Sequence, residues 1–484
     1  MIIKCLSSIC EKYEGINRPT KAVIWYMICN ILQRACAFLV VPIYVRLLTP
    51  FEFGEYAVFM SWKDIIAIFA TLNLYCGVFT KAMVDYENDR DCYTASMQGL
   101  TTVIVVAFGC VYLTFKKYFQ LFFEFDEITV VLLLVYFIVF PALQFWSVRQ
   151  RVEYNYRRLV FVTLCLSVVT PLISTFLLLN TNLSAKALIW GFLVVQIMGG
   201  LYFYVRQFYI KFCVFDKKYW IHALRFNIPL IPHYLSLIAL AQIDRIMIKE
   251  FCGLDKAGIY SLIFSLAMIL NFLIGAINDS YVPWLYQKIK NKNYSKIKSV
   301  SNKLCLLICI LVFGVMMIGP DVLHFIATYP YYEAVWMIPP IAAGVYLMFC
   351  YNLFSTVEFY FSATKNVTMA SVLGALFKIG LSYVLLPLYG YLVSGYITLA
   401  CYMFFFLVHF VFMVYVCKLN TGNDWIFDVL YIIKLLVAVF VFIVFSLFVY
   451  QHDSIRYAII AGTLFLMLLK RNKMMDVFLE IRSN

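Results

Sequence analysis

Arg34 stands near the middle of an apolar run, residues 22–48, long enough to cross a lipid bilayer. Lys63, Asp64, Asp244, Arg245, Asp279, Glu358 and Lys378 also sit inside hydrophobic segments. A charge at the centre of a lipid-facing helix costs about 2.5–3.5 kcal/mol on insertion scales. Such residues persist where they face a protein interior or a wet cavity, so the pattern implies a polar chamber within a membrane. Asn30, Gln33, Arg34 and Ala37 follow i, i+3, i+4, i+7 spacing and form one polar or small stripe. A guanidinium on that stripe can grip phosphate oxygens in bidentate fashion, which makes Arg34 the first candidate for contact with an anion.

The other charges admit several roles. Lys63 and Asp64 are neighbours, set about 100° apart on a helix, so both can face the chamber and either can pair with Arg34, but they pair poorly with each other. Gln242, Asp244 and Arg245 share one run, where Asp244 serves an ion pair or a gate. Asn271, Gly275 and Asn278 share a face with Asp279 beside it, a pattern that hydrogen-bonding between helices would also produce. Ser355, Glu358 and Ser362 align on another face. A lone intramembrane carboxylate such as Glu358 can carry a proton when desolvated, or pair with Lys378. The cavity set is therefore Arg34, Lys63, Arg245, Lys378, Gln33 and Asn30, with Asp64, Asp244, Asp279 and Glu358 for coupling or gating.

Signals for catalysis are poor. Asp89-Arg90-Asp91 matches the D-x-D string of metal-dependent glycosyltransferases, but three residues match by chance and a solvated loop explains them as well. There is no G-x-G-x-x-G, no Walker A sequence and no H-E-x-x-H. The missing P-loop argues against a self-contained ATP-driven pump, and no cofactor is implied. The 15 cysteines lie mostly in apolar runs without C-x-x-C or Cys/His spacing, and read as small buried hydrophobes rather than a disulfide framework or metal site.

Composition sets the elements that carry these residues. The 484-residue chain is 64% hydrophobic and 13% charged, against about 25% charged in soluble domains. That leaves too little polar surface for a soluble globule, and an all-α integral membrane protein is the expectation. Apolar runs of spanning length fall near 22–48, 54–80, 93–115, 128–148, 159–179, 184–205, 227–250, 256–283, 304–326, 334–363, 368–388, 391–416, 426–450 and 455–469. These make about 14 transmembrane helices. Of the 39 Lys and Arg, 27 fall in the segments that share a side with the N-terminus, which places both termini in the cytoplasm. The net charge of +13 belongs to this loop pattern rather than to nucleic-acid binding. The first run is too long for a cleavable signal and is expected to stay as a span. Prolines 42, 141, 171, 229, 232, 283, 339 and 340 lie within or at the ends of spans, as fixed kinks or hinges.

An internal repeat organises the runs. Gly54-x-Tyr56, after the first span, aligns with Gly258-x-Tyr260, after the seventh, at an offset of 204. Six spans separate them, so the repeats run parallel, as in transporters built from two similar lobes. The expected organisation is a cytoplasmic N-terminus 1–21, an N-lobe 22–205 (helices 1–6), a cytoplasmic linker 206–226, a C-lobe 227–417 (helices 7–12), two additional helices within 426–469 and a cytoplasmic tail 470–484.

The stretches 24–62, 73–100 and 226–267 resemble bacterial polysaccharide-repeat (Wzx-type) flippases of the wider multidrug/oligosaccharidyl-lipid/polysaccharide (MATE-like) exporter superfamily. Asp244-Arg245 followed by Gly258-Ile259-Tyr260 is the most specific part, and the likeness covers about residues 20–420. It implies two six-helix lobes around a cationic cavity and an alternating-access cycle. The cargo would be undecaprenyl-diphosphate-linked oligosaccharide, flipped across the inner membrane for O-antigen, capsule or exopolysaccharide. It further implies diphosphate contact for Arg34, Lys63, Arg245 and Lys378. Coupling to H+ or Na+ and association with polymerase and chain-length proteins are also family expectations. The competing readings are a multidrug or small-cation exporter on the same fold, and a membrane glycosyltransferase or polymerase.

Overall fold

The computed structural model describes residues 17–422 and 425–469, and every element among them is helical, with no strand. The expected tail 470–484, most of segment 1–21 and the side chain of Asp279 lie outside the described part. Each of the fourteen apolar runs lies mainly in helix, with the run 54–80 interrupted after Thr71. The elements are α1 (Arg18–Leu47), α2 (Pro50–Thr71), α3 (Val78–Asp85), α4 (Arg90–Thr114), α5 (Lys116–Phe123), α6 (Glu127–Val152), α7 (Tyr156–Asn180), α8 (Ala185–Ile210) and α9 (Lys217–Asn227). They continue as α10 (Ile231–Cys252), α11 (Leu254–Ala267), α12 (Asn271–Lys290), α13 (Tyr294–Ile326), α14 (Ile338–Tyr360), α15 (Thr364–Tyr389), α16 (Ser394–Thr421), α17 (Val429–Val449) and α18 (Asp453–Leu469). Among the described residues, twelve helical stretches are long and apolar enough to cross a membrane. The other two runs are not among them: α2 carries Glu52, Glu55, Lys63 and Asp64, and α18 is described over 17 residues, to Leu469.

Local chemistry sets the helix ends. Asp126 caps α6 by accepting from the Thr129 amide, Glu127 occupies its first turn, and Arg149 and Arg151 its last, all in the sense the helix dipole favours. Pro339 and Pro340 sit in the first turn of α14, where their missing N–H groups cost nothing.

The second run corrects the sequence expectation. The span expected over 54–80 stops at Thr71, and Leu72 and Asn73 turn into the left-handed region (φ 47° and 48°) before α3 begins after Gly77. Hydropathy does not register such a break, because the turn is itself apolar. The carbonyls it frees are met by the Asn227 side-chain amide, which donates to Leu72 O at 2.9 Å and Asn73 O at 3.0 Å. Unsatisfied carbonyls at membrane depth would cost several kcal/mol each.

The cysteine expectation is corrected at one pair. Cys92, in the first turn of α4, and Cys213, between α8 and α9, are joined in a disulfide. Nothing in the spacing of two cysteines 121 residues apart marks such a pair. Cys29, Cys305, Cys309, Cys350 and Cys401 are buried thiols outside any disulfide among the described residues.

Two compact units emerge. The first takes the chain up to Tyr44 and then Phe59–Leu235; the second takes Val45–Val58 and the chain from Ser236 onward. In the first, α8 packs against both α6 and α7. In the second, α14 packs most extensively on α16 and is almost wholly covered, with Tyr346, Phe349 and Phe354 fully buried along it.

The glycines of the repeat meet inside the second unit. A Cβ on Gly54 would stand 1.9 Å from the Leu254 carbonyl oxygen, and one on Gly258 2.0 Å from that of Pro50. The first turns of α2 and α11 thus cross backbone to backbone, an approach only small residues permit. Gly54→Ala forces the two turns apart and is expected to cost about 1–3 kcal/mol, in the range of overpacking. Melting of purified protein in detergent checks this; an unchanged melting temperature would remove the crossing from the list of constraints.

Candidate functional site: charges within the spans

In the first unit α1 carries the polar stripe. Arg34 and Asn30 are exposed and Gln33 is half-buried. Arg34 therefore stands mid-helix at an exposed position.

Lys63 and Asp64 follow on α2. Contrary to the expectation that neighbours pair poorly, the Lys63 ammonium reaches 2.7 Å from Asp64 Oδ1. Its four-carbon stem supplies the swing that a short side chain lacks. Lys63 is buried beneath two rings, 5.2 Å from the Phe192 centroid and 5.9 Å from that of Tyr136. Ring faces and a carboxylate together compensate its desolvation. Asp64 remains half-buried.

The second unit holds a sealed polar network. Asp244 on α10 is 2% exposed, and Lys378 on α15 has a side chain 3% exposed. The Lys378 ammonium lies 2.6 Å from Asp244 Oδ2 and donates to Leu240 O at 2.7 Å. The Tyr260 hydroxyl donates to the same carboxylate oxygen at 2.6 Å and lies 3.3 Å from Thr398 Oγ1. The second tyrosine of the G-x-Y repeat thus serves a buried acid. Of the two roles open to Glu358, the pairing with Lys378 is not formed: Lys378 pairs with Asp244, and against expectation it is sealed in packing instead of facing the chamber.

Glu358 on α14 is fully buried, and its Oε1 lies 2.8 Å from His409 Nδ1 on α16. Tyr351 and Phe405 stack on the imidazole, with centroids at 5.4 and 5.9 Å. The second carboxylate oxygen, Oε2, is buried with no hydrogen-bond partner among the described residues. A carboxyl with one oxygen on an imidazole and the other bare can hold or release a proton at that spot. Sequence reasoning missed His409, because the pair is 51 residues apart on two helices and neither local stretch signals the other.

Arg245 is half-buried and turned back on its own helix, donating to Ala241 O at 2.9 Å and Gln242 Oε1 at 3.0 Å, with Phe264 under its guanidinium at 5.1 Å. The D-x-D residues are structural. Asp89 accepts from the Tyr219 hydroxyl, Asp91 pairs with Arg149, and Arg90 donates to Met83 O at 2.7 Å. Among the described residues no group of three or more His, Cys, Asp or Glu is placed to hold a metal.

Comparison with known proteins places this architecture. The chain is similar to the lipid II flippase MurJ in an inward closed conformation, at a TM-score of 0.63 and 14% identity, over 94% of this chain and 100% of that one. It is also similar to an inward-facing multidrug resistance MATE family transporter of the MOP superfamily, at a TM-score of 0.60 and 13% identity, over 80% and 96%. At those identities the likeness concerns the fold. In sequence it matches "Lsg locus putative protein 1" of Haemophilus influenzae at 28% identity over 32% of this chain, a match spanning only 39% of that protein's length. An uncharacterized membrane protein of the same organism is 26% identical over 73% of this chain and 87% of its own. Residues 20–285, more than half of the chain, match the family described as "Polysaccharide biosynthesis protein", and the chain belongs to that family.

Proposed function

We propose that the protein flips undecaprenyl-diphosphate-linked oligosaccharide repeat units across the bacterial inner membrane by alternating access, feeding synthesis of O-antigen, capsule or exopolysaccharide. The lobes in this reading are 22–205 and 227–417, with both termini cytoplasmic. Membership of a polysaccharide biosynthesis family supports a cargo among the intermediates of glycan assembly. Such an intermediate has an apolar tail at home in lipid and a head too polar to cross alone. A protein assists by giving the head a wet path while the tail stays in the bilayer.

The observation that carries the reading is Arg34, an exposed cationic residue midway along a spanning helix, with Asn30 and Gln33 on its stripe. Hydrocarbon is a costly neighbour for that group, whereas water or a diphosphate is a favourable one. Lys63 adds positive charge nearby in sequence, tempered by Asp64. Glu358 with His409 is the group best built to exchange a proton during the cycle, while Asp244 and Lys378 hold the second unit's helices in register. The cationic character of Arg34 favours an anionic head over a cationic drug.

The test is deletion of the gene in its native cell, followed by assigning labelled lipid-linked oligosaccharide to its leaflet. The intermediate is expected to accumulate on the cytoplasmic side, and normal outer-leaflet delivery without the protein would end the proposal. Collapsing the proton or sodium gradient in complemented cells, in the same assay, identifies the coupling ion.

A further inference from the structure

The disulfide between Cys92 and Cys213 lies apart from the charges within the spans and joins two elements of the first unit. Cys92 belongs to the first turn of α4, and Cys213 to the six residues 211–216 that run without helix between α8 and α9. Both cysteines are half-buried, and neither is sealed in the core. Phe212 and Phe215, on either side of Cys213 in sequence, are 80% and 64% exposed. The connector is thus lightly covered where the bond holds it.

The place of the pair in the membrane decides how the bond behaves. Segments 81–92 and 206–226 share a side with the N-terminus, and the distribution of Lys and Arg reads that side as cytoplasmic. The cytosol keeps thiols reduced, and disulfides that form there are usually transient, catalytic or redox-sensing. A bond that served only to hold the fold would be out of place on that side.

The fold around the pair has ties of its own. Gln207 donates to Asp91 O at 3.0 Å, and the Trp220 indole to Ser96 O at 3.1 Å. The Tyr219 hydroxyl donates to Asp89. A Cβ on Gly99 would stand 2.1 Å from Val214 O, so the connector lies backbone to backbone on α4 one residue beyond Cys213. These contacts flank both cysteines and remain available when the bond is open. A thiol kept beside its partner meets it at high effective concentration, so the bond can close again without refolding. The first turn of a helix also supports a thiolate, the form that attacks in exchange.

The connector belongs to the linker 206–226, through which the chain passes from helices 1–6 to helices 7–12. In an alternating-access cycle that linker must give as the lobes rock. A covalent tie to α4 at Cys213 shortens the length that is free to do so.

We propose that Cys92 and Cys213 form a reversible redox-modification site on the cytoplasmic face, open in the reducing cytosol and closed under oxidation, and that closure slows transport. The inference rests on the flippase reading with cytoplasmic termini, and adds regulation to it. The oxidant is a low-molecular-weight disulfide of the glutathione class. One cysteine thiolate attacks a sulfur of it, breaking its S–S bond and releasing one small thiol. The other cysteine thiolate then attacks the protein sulfur of the mixed disulfide. The Cys92–Cys213 bond forms and the second small thiol leaves. The cysteines lose two electrons, the small disulfide gains them, and the two cysteine protons end on the released thiols.

The test uses native cells carrying the full chain. Cells are quenched in acid, free thiols are alkylated, and disulfides are then reduced and labelled with a heavy form of the same reagent. Peptide mass spectrometry reads both labels at Cys92 and Cys213, before and after diamide, an oxidant that itself takes up the two electrons and two protons. In unstressed cells the open thiols are expected to exceed the bond by about tenfold or more. Diamide should reverse that ratio at both cysteines together, and dithiothreitol should restore it. With about nine-tenths of the protein closed, leaflet-resolved export is expected to fall roughly tenfold. Cys92→Ser and Cys213→Ser proteins, checked for wild-type level and melting temperature, should keep their rate in diamide; either variant suffices. A pair already bonded in unstressed cells, or one that diamide leaves open, overturns the proposal. So does closure without a fall in export, or a fall that the serine variants share equally. Normal export after deletion of the gene would sink the flippase reading, while the label ratios would still report a reversible pair. A permanent bond together with export lost on deletion would do the reverse.

Discussion

Lys378→Met alone is expected to remove about 3–5 kcal/mol of stability, because it strands the Asp244 carboxylate in a site 2% exposed. The remaining donor to Asp244 among the contacts described, the Tyr260 hydroxyl at 2.6 Å, can share the charge but not neutralise it. Asp244→Leu alone is expected to be equally damaging, since among the described residues it leaves the ammonium only the Leu240 carbonyl. The double variant Asp244→Leu/Lys378→Met removes both charges together. Replacing a buried pair by apolar side chains of similar volume is often neutral or stabilising, so the double variant should melt close to wild type. Melting temperature and membrane protein level read out all three. A single variant that melts with wild type would show that the pair is not sealed as described. The double variant also decides function: normal export would mark the pair as a fastener between α10 and α15. A folded but silent double variant would give the charges a part in transport itself.

How much of this was legible beforehand depends on the range of the interaction. The apolar runs became mainly helix, since length and hydropathy act locally and the bilayer enforces them. The G-x-Y repeat was visible as a string. Its cause was not, because it lies in two backbones, Pro50 to Gly54 and Leu254 to Gly258, that approach only after folding. The break at Leu72 was hidden for a related reason. The residue that makes it tolerable, Asn227, is 155 positions away.

Charge partners were the least legible. Glu358 and Lys378 are 20 residues apart and of opposite sign, which made their pairing one of the two roles open to Glu358. Packing gave Lys378 to Asp244 and Glu358 to His409 instead. Composition shows that buried charges exist and must be compensated. Which acid meets which base is fixed by helix contacts that no local pattern encodes. Lys63 and Asp64 fail in the opposite direction. The rule that adjacent residues diverge holds for their Cα–Cβ bonds, but a lysine stem is long enough to come back.

Arg34→Ala is expected to nearly abolish export while leaving protein level and melting temperature intact. The two halves of that outcome have separate causes. Arg34 is exposed on α1, so its removal opens no cavity in a packed core, and deleting a mid-span charge eases insertion rather than hindering it. Function has no such latitude if the guanidinium holds a diphosphate on its way across. Charge-assisted hydrogen bonds of this kind contribute about 1.5–3 kcal/mol each, and a bidentate pair makes two. Losing both corresponds to a fall of at least a hundredfold in occupancy at low substrate. Arg34→Lys keeps the charge but not the planar fork, and should retain part of the activity. The ordering wild type, Lys, Ala in a leaflet-resolved export assay is therefore the signature of phosphate contact. Equal activity of Lys and wild type would reduce the requirement to bare positive charge. Full complementation by Ala would take Arg34 out of the path, and with it the observation on which the flippase reading rests.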